Sequence, residues 1–311
     1  MNQVCPLPQL SFRPATRAFL DPDRVDADSP DQARACIIPF GLEASVTYGG
    51  GTSLGPEAII SASHALEHFD DELWCEPYRE FGIATLEMEP LPGTIEGALD
   101  QLNDIVEAVV EADKFPLTLG GEHALTPGAI RPLVKAHDEL VIVQFDAHAD
   151  LRDGYLGEKY SHAAAMRRAL DYDNVSIISF GIRSISSEDV DAFEHFGPRV
   201  RTHLMRDKDN WSLDELRKQI DGRPVYISFD VDAFDPSIMP ATGTPEPGGL
   251  LWDETCRILK TVTEAGNVVG ADVVELAPIA GLHGADFTVA KLVYKILSYR
   301  FCTKRLIAPS S

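Results

Sequence analysis

The chain has five cysteines, Cys5, Cys36, Cys75, Cys256 and Cys302, an odd number with no CxxC pair. That excludes a disulfide framework and a zinc ribbon and points to reduced thiols. No apolar run approaches the ~20 residues of a membrane span. The N-terminus has no positively charged start followed by an apolar stretch, so a secretory leader is not expected. Basic residues are scarce: 27 against 49 acidic ones leave a formal charge of −22. This deficit argues against nucleic acid, which needs a basic footprint, and against anionic membranes. A cytoplasmic protein is the expectation. There is no fixed-period repeat, no low-complexity tract and no linker.

Strands alternating with amphipathic helices fill the rest. Apolar runs at 35–41, 115–119, 141–145, 175–180, 199–203, 224–230 and 267–275 read as strands. Helical spacing covers 95–112, 127–137, 186–195, 212–220, 251–265 and 286–299, and a helix should follow Pro56 and another Ser161. This alternation implies an α/β fold with a mainly parallel sheet covered on both faces. Residues 1–31, rich in Pro and Asp, read as an extended arm. Residues 32–311 read as a single domain.

The most informative stretch is Val141-Ile142-Val143-Gln144-Phe145-Asp146-Ala147-His148-Ala149-Asp150. An apolar strand ends in Asp-x-His-x-Asp, and in extended chain alternate side chains share one face. Open α/β sheets place their sites at the carboxyl ends of strands. Val225 to Asp232 repeats the design with Asp230 and Asp232. His123 ends a third strand behind Gly120 and Gly121, which permit close backbone approach. Four carboxylates gathered at strand ends cannot all stay ionised without compensation. Two divalent cations would cancel them, with neutral imidazoles completing the ligand set. Carboxylate and imidazole without thiolate favour Mn²⁺, and Zn²⁺, Ni²⁺ or Fe²⁺ stay open. Paired metals can lower the pKa of a shared water to give hydroxide. The Gly-rich loop Tyr48–Gly55 lacks the patterns of a phosphate cradle.

Gly-Gly-Glu-His at 120–123, Asp-Ala-His-Ala-Asp at 146–150 and Ser-Phe-Asp-Val-Asp-Ala-Phe-Asp-Pro at 228–236 resemble the arginase and agmatinase family of ureohydrolases. So do Gly243-Thr244-Pro245, Gly248-Gly249-Leu250 and Asp272-Val273-Val274-Glu275. The resemblance runs from about residue 35 to 298. It implies a three-layer α/β/α sandwich, the arginase-like fold, holding two Mn²⁺ ions per chain. One ion would be bound by His123, Asp146, Asp150 and Asp230. The other would be bound by Asp146, His148, Asp230 and Asp232, so Asp146 and Asp230 would bridge. Glu275, at the end of an apolar strand, would grip the guanidinium fork. His162 is similar to the family's proton-shuttle histidine, and Glu122 would support the site from behind.

The loop Leu151-Arg152-Asp153-Gly154-Tyr155 and Gly-Ile-Arg-Ser at 181–184 look like prokaryotic agmatinases. The resemblance therefore implies cleavage of agmatine to urea and putrescine, a step of polyamine biosynthesis, through a metal-bridging hydroxide. Guanidinobutyrate, aminopropylagmatine or arginine are the alternative substrates. A catalytically inactive metal-binding subunit is disfavoured because the ligand set is complete. Asp153 and Glu158 are candidates for the substrate's far amine, and His283 for the pocket wall. His64, His68, His137, His195 and His203 read as surface or core residues. The family's habit implies a homo-oligomer, trimer or hexamer.

Overall fold

The computed structural model describes residues 9–25 and 29–302. In chain order its main elements are β1 (Ala35–Phe40), α1 (Gly55–Ser63), α2 (Tyr78–Phe81), β2 (Ile83–Thr85), α3 (Ile95–Glu111) and β3 (Phe115–Gly120). There follow α4 (Thr126–Ala136), β4 (Leu140–Phe145), α5 (Ala165–Ala169), β5 (Val175–Ile182), α6 (Ser187–Phe196) and β6 (Val200–Leu204). The chain continues with α7 (Leu213–Ile220), β7 (Pro224–Asp230), α8 (Trp252–Ala265), β8 (Asn267–Val274) and α9 (His283–Cys302). Among the described residues no helix is long and apolar enough to cross a membrane.

The strands form one eight-stranded sheet in the order β2-β1-β3-β8-β7-β4-β5-β6, with every pairing parallel. β4 shows why. All six of its residues are buried, and they alternate between two cores. Val141, Val143 and Phe145 pack with α1, α7, α8 and α9 on one face. Leu140 and Ile142 pack with α3, α4, α5 and α6 on the other. A strand buried on both faces has no polar side to show, hence the continuous apolar runs. The result is the expected three-layer α/β/α sandwich. The expected α3 is made by its own apolar stripe and by Thr94, whose side chain accepts the Gly97 N–H at 3.2 Å.

Two elements escaped the sequence reading. β2 and α2 have three and four residues, too few to show a period. The helix expected after Ser161 begins as a 3-10 turn over His162–Ala164 before α5. β8 ends at Val274 because Glu275 turns to φ 67°. Of the arm, residues 1–8 and 26–28 lie outside the described residues, Cys5 with them. The described part packs on β2: Arg13 donates its N–H to the Thr85 carbonyl at 2.8 Å, and Phe19 and Leu20 are fully buried.

All parallel strands point their carboxyl ends to one edge. The four motif-bearing strands, β3, β8, β7 and β4, are consecutive neighbours at the centre of the sheet. Close packing there demands glycine. A Cβ on Gly121 would lie 2.0 Å from the Leu42 carbonyl oxygen, and one on Gly181 would lie 2.7 Å from that of Asp146. Gly181 also has φ +99°. Gly181→Ala is therefore expected to cost at least about 3 kcal/mol in denaturant unfolding, combining left-handed strain with a backbone collision. Gly157→Ala, at φ +87° with nothing within 4 Å, should cost only about 1–2 kcal/mol.

Away from this edge, Glu72 ties the loop before α2 to the last helices. Its carboxylate accepts from Lys260 Nζ at 2.6 Å, Tyr299 OH at 2.5 Å and Lys295 Nζ at 3.2 Å. Burial alone would raise its pKa, but these donors overcome it and hold the group at about 2. The stabilisation of a depressed carboxyl is present above its unfolded pKa and is lost as pH falls through the folded one. Glu72→Gln should cost about 1–3 kcal/mol at pH 7. In paired denaturant titrations the difference from wild type should shrink as pH falls from about 4.5 toward 2.

Candidate metal centre

At the carboxyl edge of the four central strands the acidic and histidine side chains converge on one cavity of about 220 Å³. Buried His123 lies just beyond β3, and its Nδ1 is 3.1 Å from Asp146 Oδ2, 3.0 Å from Asp150 Oδ2 and 3.5 Å from Asp230 Oδ2. Asp146 turns its other oxygen toward His148, whose Nδ1 is 3.6 Å from Asp146 Oδ1 and 2.9 Å from Asp232 Oδ2. Two clusters able to hold a cation thus share one carboxylate: His123, Asp146 and Asp150, and Asp146, His148 and Asp232.

Asp146, Asp230 and Asp232 are each held by backbone N–H groups or a buried amide. Asp146 Oδ1 accepts the His148 N–H at 2.6 Å and its Oδ2 accepts from Gln144 Nε2 at 2.8 Å. Ser179 Oγ in turn donates to Gln144 Oε1 at 2.6 Å. Asp232 Oδ1 accepts the Ala147 N–H at 2.9 Å, and Asp230 Oδ1 accepts the Asp232 N–H at 2.8 Å. Asp150 and Glu275 both adopt positive φ, 54° and 67°. Such backbone is uncommon outside glycine and is found at functional sites that the surrounding fold holds in place.

The electrostatics describe a site short of positive charge. Among the described ion pairs, Asp146, Asp150, Asp230 and Asp232 face only His123 and His148. Burial, with the charges of Asp232 and Asp146, pushes Asp230 well above the carboxylate range. Burial and the Asp146 charge push Asp150 up to about 7. Burial would lower His148, but Asp232 and Asp146 hold it up to about 12. His123 Nδ1 meanwhile is buried without a hydrogen-bond partner while aimed at three carboxylates. An orphaned ring nitrogen and crowded carboxylates without thiolate fit hard or borderline divalent cations.

Glu275 follows β8 and faces the same cavity. Its Oε1 accepts the His123 N–H at 2.7 Å. Burial pushes its carboxyl up to about 8 against that hydrogen bond. His162 also lines the cavity. Its Nδ1 is 3.0 Å from Ser45 Oγ and its Nε2 2.8 Å from Thr47 Oγ1. Burial, then the charges of His123 and His148, lowers its pKa to about 4, so the imidazole is neutral. Glu122 is fully buried and accepts the Ser45 N–H at 2.7 Å, fixing the loop that carries His162's partners.

All eight residues singled out as ligands or catalytic groups therefore meet. Three weaker candidates do not. Asp153 is turned away from the cavity and pairs with Arg168 and, at 3.6 Å, with Arg167. Glu158 caps its own turn, accepting the Tyr160 N–H at 2.9 Å. His283 is exposed at the start of α9, outside the cavity. In their place the cavity is lined by Arg152, Tyr155 and Asp189, with Glu246 Oε1 3.9 Å from His148 Nε2.

Arg183 has a role the sequence hid. Its guanidinium gathers carbonyls from two loops: Asp232 at 2.8 Å, Phe234 at 3.2 Å and Glu246 at 2.6 Å, all from Nη2. The only signal was an arginine just past an apolar strand, which by itself names no partner.

The arginase family profile matches residues 33–298. An N(1)-aminopropylagmatine ureohydrolase of Synechocystis is 34% identical over 295 residues, covering 93% of this chain and 95% of its own. An agmatinase of Bacillus cereus is 35% identical over 256 residues, covering 80% and 85%. The crystal structure of an agmatine ureohydrolase of Thermoplasma volcanium superposes with a TM-score of 0.80 at 30% identity, covering 90% of this chain and 94% of that one. On the family match and these relatives together, the chain belongs to the arginase family and is a ureohydrolase.

Proposed function

We propose that this chain hydrolyses the guanidino group of agmatine, releasing urea and putrescine, with two Mn²⁺ ions as its metals. The observation that carries the reading is a pair of Asp/His clusters sharing Asp146, at a cavity that Glu275 and His162 also line. His123, Asp146, Asp150 and Asp230 would hold one ion, and Asp146, His148, Asp230 and Asp232 the other. When bound, the ions supply Lewis-acid charge and an acidified water that is nucleophilic at neutral pH.

The protein's own groups supply the rest. A guanidinium is a resonance-stabilised cation, so it must be oriented before water can add to its carbon. Glu275 offers a carboxylate oxygen to that cation, and the approach of positive charge favours its ionised form. Water adds at the guanidino carbon, the bond to the alkyl nitrogen breaks, and that nitrogen needs a proton to leave. The neutral His162 imidazole can carry that proton, with Thr47 and Ser45 holding its ring. The acidic balance of the chain, −22, suits a cationic substrate.

A second reading keeps the chemistry and lengthens the substrate to aminopropylagmatine. It is favoured by the Synechocystis relative and by Tyr48, which lines the cavity at 85% exposure and could cover extra methylenes. Residues 1–31 as an arm on a single domain 32–311, assembly as a trimer or hexamer, a place in polyamine biosynthesis and a cytoplasmic location complete the proposal.

Urea release by the Mn²⁺-loaded protein tests it, with agmatine, aminopropylagmatine, guanidinobutyrate and arginine assayed in parallel. Agmatine should be preferred. Asp230→Asn should abolish activity, and His162→Ala should lower kcat by about 10²–10⁴-fold. Preference for aminopropylagmatine would select the second reading. No urea from any of them, with metal bound, would overturn both.

A further inference from the structure

Asp272, on β8, is fully buried and does not line the cavity. Three hydroxyls converge on it. Thr126 Oγ1 and Tyr226 OH donate to its Oδ2 at 2.8 and 2.9 Å, and Ser228 Oγ donates to its Oδ1 at 2.9 Å. No lysine or arginine is paired with it among the described ion pairs. Burying a carboxylate in this way is costly, and a polar cluster of this kind inside a sheet calls for a purpose.

The purpose lies one bond further on. Ser228 Oγ is 2.8 Å from His123 Nε2. A serine hydroxyl has one hydrogen, and Asp272, an acceptor only, takes it. Ser228 must then receive a hydrogen from His123, so Nε2 carries N–H. The lone pair is left on Nδ1, the buried atom without a hydrogen-bond partner that faces Asp146, Asp150 and Asp230. We infer that Asp272, acting through Ser228, fixes the tautomer and orientation of His123 and so makes its Nδ1 a metal ligand. Asp272 and Ser228 are positioning residues for one half of the centre, and the inference rests on the binuclear reading above. His148 has no such brace: it is half-buried, and Glu246 stands 3.9 Å from its Nε2, beyond hydrogen-bond reach. The two metals should therefore respond differently when the brace is cut.

The test is calorimetric titration of the metal-free protein with Mn²⁺, alongside electron paramagnetic resonance to report whether the bound ions are paired. Wild type should take two ions and show a coupled pair. In Asp272→Asn the new amide presents N–H to Ser228, whose hydroxyl turns to Nε2 and leaves the hydrogen on Nδ1. One of the two affinities should fall by about 10–100-fold, the other should hold, and the first equivalent should give an isolated-ion spectrum. Ser228→Ala, a small deletion, should weaken the same site by about 10-fold and decides the matter if Asp272→Asn does not fold. Near-ultraviolet circular dichroism checks the fold of each. Both affinities unchanged, or both lowered equally, in folded variants would overturn the inference alone. A wild type that takes up no metal would overturn the binuclear reading with it.

Discussion

Mutual repulsion among Asp146, Asp150, Asp230 and Asp232 is the constraint on which the centre depends. Unit charges a few ångströms apart and out of water repel by several kcal/mol even at the moderate effective dielectric of a protein. Burial and the neighbouring carboxylate charges push Asp150 and Asp230 above the usual carboxylate range. Such a cluster would fall apart on flexible loops. Here it sits at the ends of the four central strands of an eight-stranded sheet, and backbone or amide donors hold Asp146 through both oxygens and Asp230 and Asp232 through one. The cost of crowding is offset by the sheet, and the site keeps a strong demand for divalent charge.

The same edge stores backbone strain. Asp150 and Glu275 take left-handed φ where glycine would be easier, and Gly121 and Gly181 leave no room for a side chain against neighbouring carbonyls. At 150 and 275 the chain needs a carboxylate more than it needs relaxed backbone. The hydrogen bond from Glu275 N–H to the Gly121 carbonyl, 2.7 Å, locks β8 to β3 at the turn and helps hold that strain.

Legibility in the sequence followed the range of the interactions. Asp146, His148 and Asp150, and Asp230 with Asp232, were readable because each set follows an apolar strand; the expected alternation itself stops short, since β4 ends at Phe145, Asp150 turns to φ 54° and Asp232 lies in a 3-10 turn. His123 and Glu275 were readable because an apolar strand announces where it ends. The three-layer sandwich followed from strands with no polar side. Arg183 was not readable, because its partners are carbonyls some 50 and 63 positions away and carbonyls leave no trace in composition. Asp153 and His283 misled for the complementary reason. Proximity in sequence to a motif does not fix the direction a loop residue points, and Arg168 captures Asp153 on the outer side. β2 and α2 were too short to carry a period at all.

Chemistry and substrate choice therefore rest on different parts of the chain. On the proposed function the metal-binding groups and Glu275 stand at or just past strand ends whose register is set by pairing along the whole sheet. The walls that meet the rest of the substrate come from loops: Val46 to Gly49, Arg152 to Tyr155, and Ser184 to Asp189. Asp189 is tied to Leu151 and Ser186, Glu122 to Ser45, Thr47 to His162, Gly49 to Gly243 and Ser184 to Ala147, so these walls are held at scattered points. A change of a few residues there could alter the length or charge of the accepted guanidine without disturbing a single ligand. Relatives about one-third identical to this chain do carry different substrate names.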